Sequence, residues 1–297
     1  MTFVGYSDRF TFFLFFFLGS AFADLPLTVE NLLSEKHKLR FSATLSYTNS
    51  ETNSIEGADP LTLQTGENTF VTIPTRIGQG IGNSDALVAT MSLRYGLGKN
   101  TEIFGRLSGL RIEQRALDIS GNSSNETDTR FLDAWLGLNH RFRNALDAPA
   151  ILGFLEVQVA QKQTDDSSVH GKSLVTGLTT YQTYDPVVLS FTGSLQFNLK
   201  RELAGNNYQP GHRLSLVPSV GFAVNDKVTL TTGLSWSLQQ ADKVNGEKAG
   251  IKLTRTELSQ GLGYALGKND TLNLSAGANI SGENSARIRF NWIHKVQ

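Results

Sequence analysis

Eight arginines and three acids on alternating positions of apolar segments are the residues from which function has to be argued. They are Arg40, Arg94, Arg106, Arg141, Arg213, Arg255, Arg287 and Arg289, with Asp133, Glu156 and Glu257. Patterns that do covalent chemistry are missing. The five histidines, His37, His140, His170, His212 and His294, make no H-E-x-x-H pair and no zinc-finger spacing. There is no cysteine, so there is neither a disulfide nor a thiolate nucleophile. No G-x-S-x-G elbow occurs. Gly98-Lys99 is no phosphate loop, because Leu93 stands where the first glycine is required and Asn100 where Ser or Thr is. The expectation is a protein with no cofactor, no metal and no enzymatic step. One enzyme class stays open as the remote alternative: a barrel lipase using His140, which falls on an outward-facing position near a strand end.

Alternation puts the eleven charged residues on one side of their strands. The excess there is five positive charges, eight against three. Rings of Arg in a pore favour anions. The competing reading is that the arginines pair with nearby carboxylates and fill a narrow barrel.

The elements that would hold these residues read as long β-strands. In Arg287-Ile288-Arg289-Phe290-Asn291-Trp292, apolar Ile288, Phe290 and Trp292 share one face and the polar residues share the other. Val187–Lys200 alternates even more cleanly, and the pattern recurs back to Leu39. Strands of about 10–13 residues exceed the usual ~5–6 and suit a tilted membrane wall. A soluble two-sheet sandwich is the alternative. Short turns at 96–100, 144–149, 185–186, 225–226 and 267–270 alternate with longer polar loops, as outer-membrane barrels require. Those loops are Asn49–Ser84, Gln114–Asp128, Gln163–His170, Arg201–Gly211 and Ala241–Gly250. Phe70–Ile77 contains Pro74 and reads as an excursion of the first loop, not as a wall strand. The side presented by Gly171–Tyr184 cannot be assigned. The expected fold is therefore all-β: an antiparallel up-and-down transmembrane barrel of about twelve strands over residues 38–297, with a short helix before it.

The balanced charge, 27 basic and 27 acidic residues, gives no reason to expect nucleic acid as a partner. Arg9, the apolar run Phe10–Leu18 and Ala21-Phe22-Ala23 form a secretory signal with cleavage after Ala23. Residues 24–37 hold one amphipathic turn or two, with Thr28 as N-cap and Val29, Leu32 and Leu33 on one side. Either this helix tethers at the periplasmic mouth, or it enters the bore and sets Glu30 and Glu35 against the basic wall.

The turn Tyr95-Gly96-Leu97-Gly98-Lys99-Asn100, echoed at Tyr264–Asp270 and followed by Thr101-Glu102-Ile103-Phe104-Gly105-Arg106, resembles the transporter barrels grouped as the MetA-pathway of phenol degradation family. Leu27–Lys36 leading into Leu39–Tyr47 is similar to the barrel domain of the functional-amyloid secretion channel. The second resemblance implies a twelve-stranded export barrel gated by a helical segment, with a homotrimer as its assembly. The chain departs from that channel in having no long coiled coil before the helix, and from the usual barrel signal in ending Lys295-Val296-Gln297, not on an aromatic. The reading is a channel of a Gram-negative outer membrane for passive transport or for protein or solute export. Its expected partners are outer-membrane lipid and lipopolysaccharide, and small solutes or an exported polypeptide. The alternative from another class is a structural or surface-interaction barrel working through Asn49–Ser84 and Gln114–Asp128.

Overall fold

The structure, a computed structural model, describes residues 33–54, 61–73, 80–118, 121–144, 148–163 and 167–296. The signal segment and the body of the expected N-terminal helix, including Val29, Glu30 and Leu32, lie outside the described residues.

Among the described residues nineteen strands follow in chain order. They are β1 (Leu39–Ser54), β2 (Leu61–Gln64), β3 (Phe70–Ile73), β4 (Gly80–Gly96), β5 (Thr101–Asp118), β6 (Ser123–Arg143), β7 (Ala150–Lys162), β8 (Ser168–Val169), β9 (Ser173–Tyr184) and β10 (Val187–Asn198). Then come β11 (Arg201–Leu203), β12 (Asn206–Gln209), β13 (Arg213–Ala223), β14 (Val228–Gln239), β15 (Asp242–Val244), β16 (Glu247–Ala249), β17 (Leu253–Ala265), β18 (Asp270–Ser281) and β19 (Asn284–Val296). Twelve of these, β1, β4–β7, β9, β10, β13, β14 and β17–β19, close into one antiparallel barrel. Each pairs with its sequence neighbour in the wall, and the ring closes where β1 meets β19, with Leu39 opposite Val296 and Glu51 opposite Asn284. Closure leaves no unpaired edge, which a hydrocarbon environment demands of any strand that crosses it.

The alternation read from the sequence sorts the side chains into two surfaces. Outward-pointing Met91 (62% exposed), Leu107 and Leu136 (59% each) and Phe290 (43%) belong to a continuous belt of large apolar groups left uncovered by the chain. A belt of that size on a water-borne monomer would be an aggregation surface; around a closed barrel it is the lipid contact. The fold and this belt place the chain in an outer membrane. At the end carrying the short turns, aromatics ring the barrel: the Phe41 and Trp292 rings meet edge-on at 5.9 Å, and Trp292 Nε1 donates to Asp270 at 2.9 Å. Tyr95 and Tyr264, the echoed residues of the sequence, sit at the same end. No described helix is long and apolar enough to cross a membrane.

Three expectations need correction. Asn49–Ser84 is not one outer loop: β1 runs on to Ser54 and β4 starts at Gly80, so the wall itself rises above the membrane there. Gln114–Asp128 is likewise mostly strand, since β5 reaches Asp118 and β6 begins at Ser123. These segments looked loop-like because they are polar on both faces, as a strand standing clear of lipid is free to be. The loops at 201–211 and 241–250 pair with each other as a small four-stranded sheet, in the order β11-β12-β15-β16. Tyr208 Oη donates to Asp242 Oδ2 at 2.5 Å within it, and burial with that neighbouring carboxylate pushes the phenol well above its ordinary value. Burial lowers the Arg201 guanidinium to about 10, so it stays cationic at neutral pH. Gly171–Tyr184, unassigned from sequence, contributes β9 to the wall, with Ser173, Val175 and Tyr181 buried.

Candidate functional site: a bore stopped by its own hairpin

Strands β2 and β3 pair with each other, Leu61 opposite Ile73 and Gln64 opposite Phe70, but with no wall strand. This hairpin hangs inside the barrel. Its root is apolar: Leu61, Leu63, Val71 and Ile73 pack with Ala86 and Val88 of β4, Leu110 and Ile112 of β5 and Leu132 of β6 in one buried cluster. Burying each large aliphatic side chain is worth about 1.5–3 kcal/mol, so the root is anchored to one side of the wall. The inner faces of those wall strands carry the matching apolar residues, which a purely polar pore would not need.

The tip, residues 64–70, is held by polar contacts that reach round the ring. Arg106 Nη1 of β5 donates to Thr65 O at 2.9 Å, and its Nη2 bonds Thr69 Oγ1. Arg94 Nη2 of β4 meets Glu67 Oε1 at 3.0 Å. Gln196 Nε2 of β10 donates to Phe70 O at 3.0 Å, Arg213 of β13 stacks 4.7 Å over the Phe70 ring, and Arg287 of β19 bonds Gln64. The hairpin therefore spans the bore. Gly66 has no room for a side chain: a Cβ there would collide with Thr69 Oγ1 and lie 2.8 Å from Arg106 Cζ.

Beside and below the tip remains a cavity of about 450 Å³. Its two sides differ. On β14, β17, β18, β19 and β1 the uncharged inward residues are mostly small or polar, Thr231, Ser235, Gly261, Gly263, Asn273, Ser275, Asn291, Thr44 and Ser46, with aliphatic Ile293 beside them. On β5 and β7 they are Phe104, Leu152 and Phe154, together with the ion-paired Arg106 and Glu156. Glycines on neighbouring strands seat the two rings: a Cβ at Gly137 would collide with the Phe104 ring, and one at Gly177 with the Phe154 ring. A second, narrower space of about 40 Å³ lies on the far side of β3, among Arg130, Lys162, Arg201 and Arg213.

The sequence-predicted charged residues divide into groups. Arg94, Arg106, Glu156, Glu257, Arg287 and Arg289 line the large cavity. Arg106 Nε lies 3.4 Å from Glu156 Oε2 and its Nη1 3.8 Å from Asp133 Oδ1, while Arg287 pairs with Glu257. Asp133 is fully buried and also accepts from Trp135 Nε1 at 2.8 Å. Arg255 pairs with Glu283 towards the outer end, and Arg213 bonds Gln239 and Thr62. Arg40 is buried at the other end, 3.0 Å from Glu102. Arg141 lies at a bulge in β6, with Asn144 Oδ1 at 3.4 Å, and does not line the cavity.

Glu102 is the residue that sequence reasoning missed. Fully buried, it accepts from Arg40 at 3.0 Å, Arg94 at 3.2 Å, Asn139 Nδ2 at 2.8 Å and the backbone N–H of Ser34 at 2.6 Å. Its position two residues before Phe104 and four before Arg106 puts it on the inward parity, and that was the available signal. Glu67 and Glu283 were missed because they lie outside the regular alternation. With these three acids, five of the eight predicted arginines, Arg40, Arg94, Arg106, Arg255 and Arg287, have a carboxylate partner, so ion pairing accounts for most of that set.

Of the expected plug residues, Leu33 is buried at the short-turn mouth and Glu35 is exposed there. Glu35 is not set against the arginines; Glu102 takes that place. His37 N–H donates to Gly96 O at 2.8 Å, so the segment from Leu33 lies against the end of β4. His140 shares a 2.8 Å hydrogen bond with Thr101 Oγ1 and its ring meets Phe142 edge-on at 4.9 Å. Those are the surroundings of an interfacial residue.

A family model described as MetA-pathway of phenol degradation matches residues 45–291. The chain belongs to that family. Its matched span takes in all but the ends of the barrel and includes the hairpin and the cavity wall. Among solved structures, the COG4313 outer membrane channel from Pseudomonas putida F1 is similar over 94% of this chain and 99% of its own, with a TM-score of 0.61 at 8% identity. The translocator domain of the autotransporter NalP from Neisseria meningitidis is similar over 90% of this chain and 92% of its own, with a TM-score of 0.55 at 13% identity. At such identities these likenesses speak for the barrel fold alone. No curated protein matches the sequence.

Proposed function

We propose that this member of the MetA-pathway of phenol degradation family is a passive outer-membrane channel for small solutes, stopped at rest by the hairpin of its first loop. One observation carries the reading: a hairpin fixed by an apolar root on β4–β6 extends a polar tip across the bore to β10, β13 and β19. A structural barrel needs no such device, since its lumen could be filled by wall side chains alone. The division of labour suits a gate. Moving the tip exchanges polar contacts for water, which costs little per bond, whereas moving the root would expose the aliphatic cluster. A chamber of about 450 Å³ fits a small molecule and argues against a polypeptide cargo. The likeness to a barrel described as an outer membrane channel agrees with this reading. The hairpin takes the gating role that the sequence offered to residues 24–37, and cleavage after Ala23 would deliver the chain to the membrane.

The test is conductance in planar bilayers. Replacing residues 61–73 by a short Gly-Ser linker should raise the single-channel current several-fold while the barrel stays folded. An unchanged current would sink the gate reading. No measurable current from either form would favour the structural barrel.

A further inference from the structure

The charged residues lining the large cavity are four arginines and three glutamates, and the pairing among them leaves a remainder. Glu67 is with Arg94, Glu156 with Arg106 and Glu257 with Arg287. Arg289 has no hydrogen bond or ion pair among the described residues, and its Nε is buried without a partner. Register explains why. On the inner face Arg289 lies between Ser46 of β1 and Ser275 of β18, and one step towards the short-turn end Asn291 lies between Thr44 and Asn273. None of these is an acid.

An unpaired guanidinium beside amides and hydroxyls is a receptor for a carboxylate, since its planar fork matches two oxygens at once. Across the bore the β7 wall presents Leu152 and Phe154, next to a Glu156 that is paired with Arg106, and Phe104 of β5 carries Arg94 Cζ 5.2 Å from its ring centroid. The chamber therefore has an unpaired guanidinium on one side and, on the other, apolar and aromatic groups whose neighbouring charges, Arg94, Arg106 and Glu156, are already paired. Its volume, about 450 Å³, is that of a site for a small organic molecule. We propose that Arg289 anchors a binding site for small aryl carboxylates, with the ring against Phe104 and Phe154. The proposal deepens the channel reading by naming a solute class, and it is tested by binding, not by flux.

The probe is benzoate, titrated calorimetrically into the detergent-solubilised barrel, with benzyl alcohol and acetate as comparisons. Benzoate should bind wild-type protein, and the neutral alcohol and the ring-less acid should each bind about tenfold or more weakly. Arg289→Gln should weaken benzoate about tenfold or more and leave the alcohol unchanged. Arg289→Lys should recover part of the loss, because the charge returns without the fork. Benzoate no tighter than the alcohol on wild-type protein would overturn the proposal, and this comparison requires no variant to fold. So would benzoate bound equally by Arg289→Gln. Binding without flux would overturn the channel and spare the site, and flux without benzoate binding would do the reverse.

Discussion

Glu102→Gln is the sharpest single test of how the lumen is held together. The side chain is fully buried and accepts four hydrogen bonds: from Arg40, Arg94, Asn139 and the Ser34 N–H. The amide keeps the shape, but it removes the charge and turns one acceptor into a donor facing two guanidiniums. Breaking a buried pair from one side typically costs 3–5 kcal/mol, mostly because the partner charge stays buried. Arg94 keeps Glu67 as a second partner, which softens its share, and Arg40 is about 4% exposed, so water does little to screen it. The lower end, about 3 kcal/mol, is the expected loss, roughly a hundredfold in the folding equilibrium. Urea unfolding of the barrel in detergent, followed by its slower-migrating band on unheated gels, reads this directly. Arg40→Met in the Glu102→Gln background should restore part of the stability, because the buried cation facing the amide is gone. If Glu102→Gln unfolds at the wild-type urea midpoint, or Arg40→Met adds to the damage, the buried cluster is not an ion-paired support of the barrel.

Other parts of the molecule answer to separate perturbations. Leu63→Ala opens a hole in the hairpin root and should cost about 2–5 kcal/mol of local packing; the expected readout is a noisier, larger bilayer current at unchanged barrel stability, whereas a lower urea midpoint with unchanged current would make the hairpin structural. Met91→Arg places a charge on the lipid belt and should cost about 2–4 kcal/mol if it lies near the midplane; lipid-vesicle folding yields equal to wild type would mean that face does not meet lipid. Gly96→Val drives a side chain into the backbone carbonyl of Glu35, which occupies the space a Cβ would need. Trypsin should then cut at Lys36 or Lys38 much faster than in wild type, and unchanged cleavage would show that residues 33–38 do not depend on that contact.

The wall was legible in the sequence and the plug was not, for one physical reason. A strand between lipid and water is forced to alternate, so period-two patterning shows about twelve strands, the sidedness of most of them though not of Gly171–Tyr184, and the inward arginines apart from Arg141. Phe70–Ile73 alternates too, but a strand surrounded by other protein is free to bury both faces, and its pattern carries no label saying which surface it meets. Pro74 excluded it from the wall correctly, yet nothing local placed it inside the bore. The clue was non-local: Ala86, Val88, Leu110 and Ile112 are apolar on positions that face inward, where a water-filled pore has no use for them, whereas Leu132, outward by parity, joins them only through the β5–β6 bulge. An inward apolar patch on β4–β6 requires something apolar to cover it, and the first loop is the nearest segment with Leu61, Leu63, Val71 and Ile73 to offer. The same bookkeeping explains the charge count. Parity found the arginines because they sit in regular strand, while Glu67 at a hairpin tip and Glu283 in a turn escaped it, and those acids neutralise much of the apparent basic excess. Arg289 stands out only once every acid has been placed, which makes the leftover charge a property of the folded bore, not of the composition.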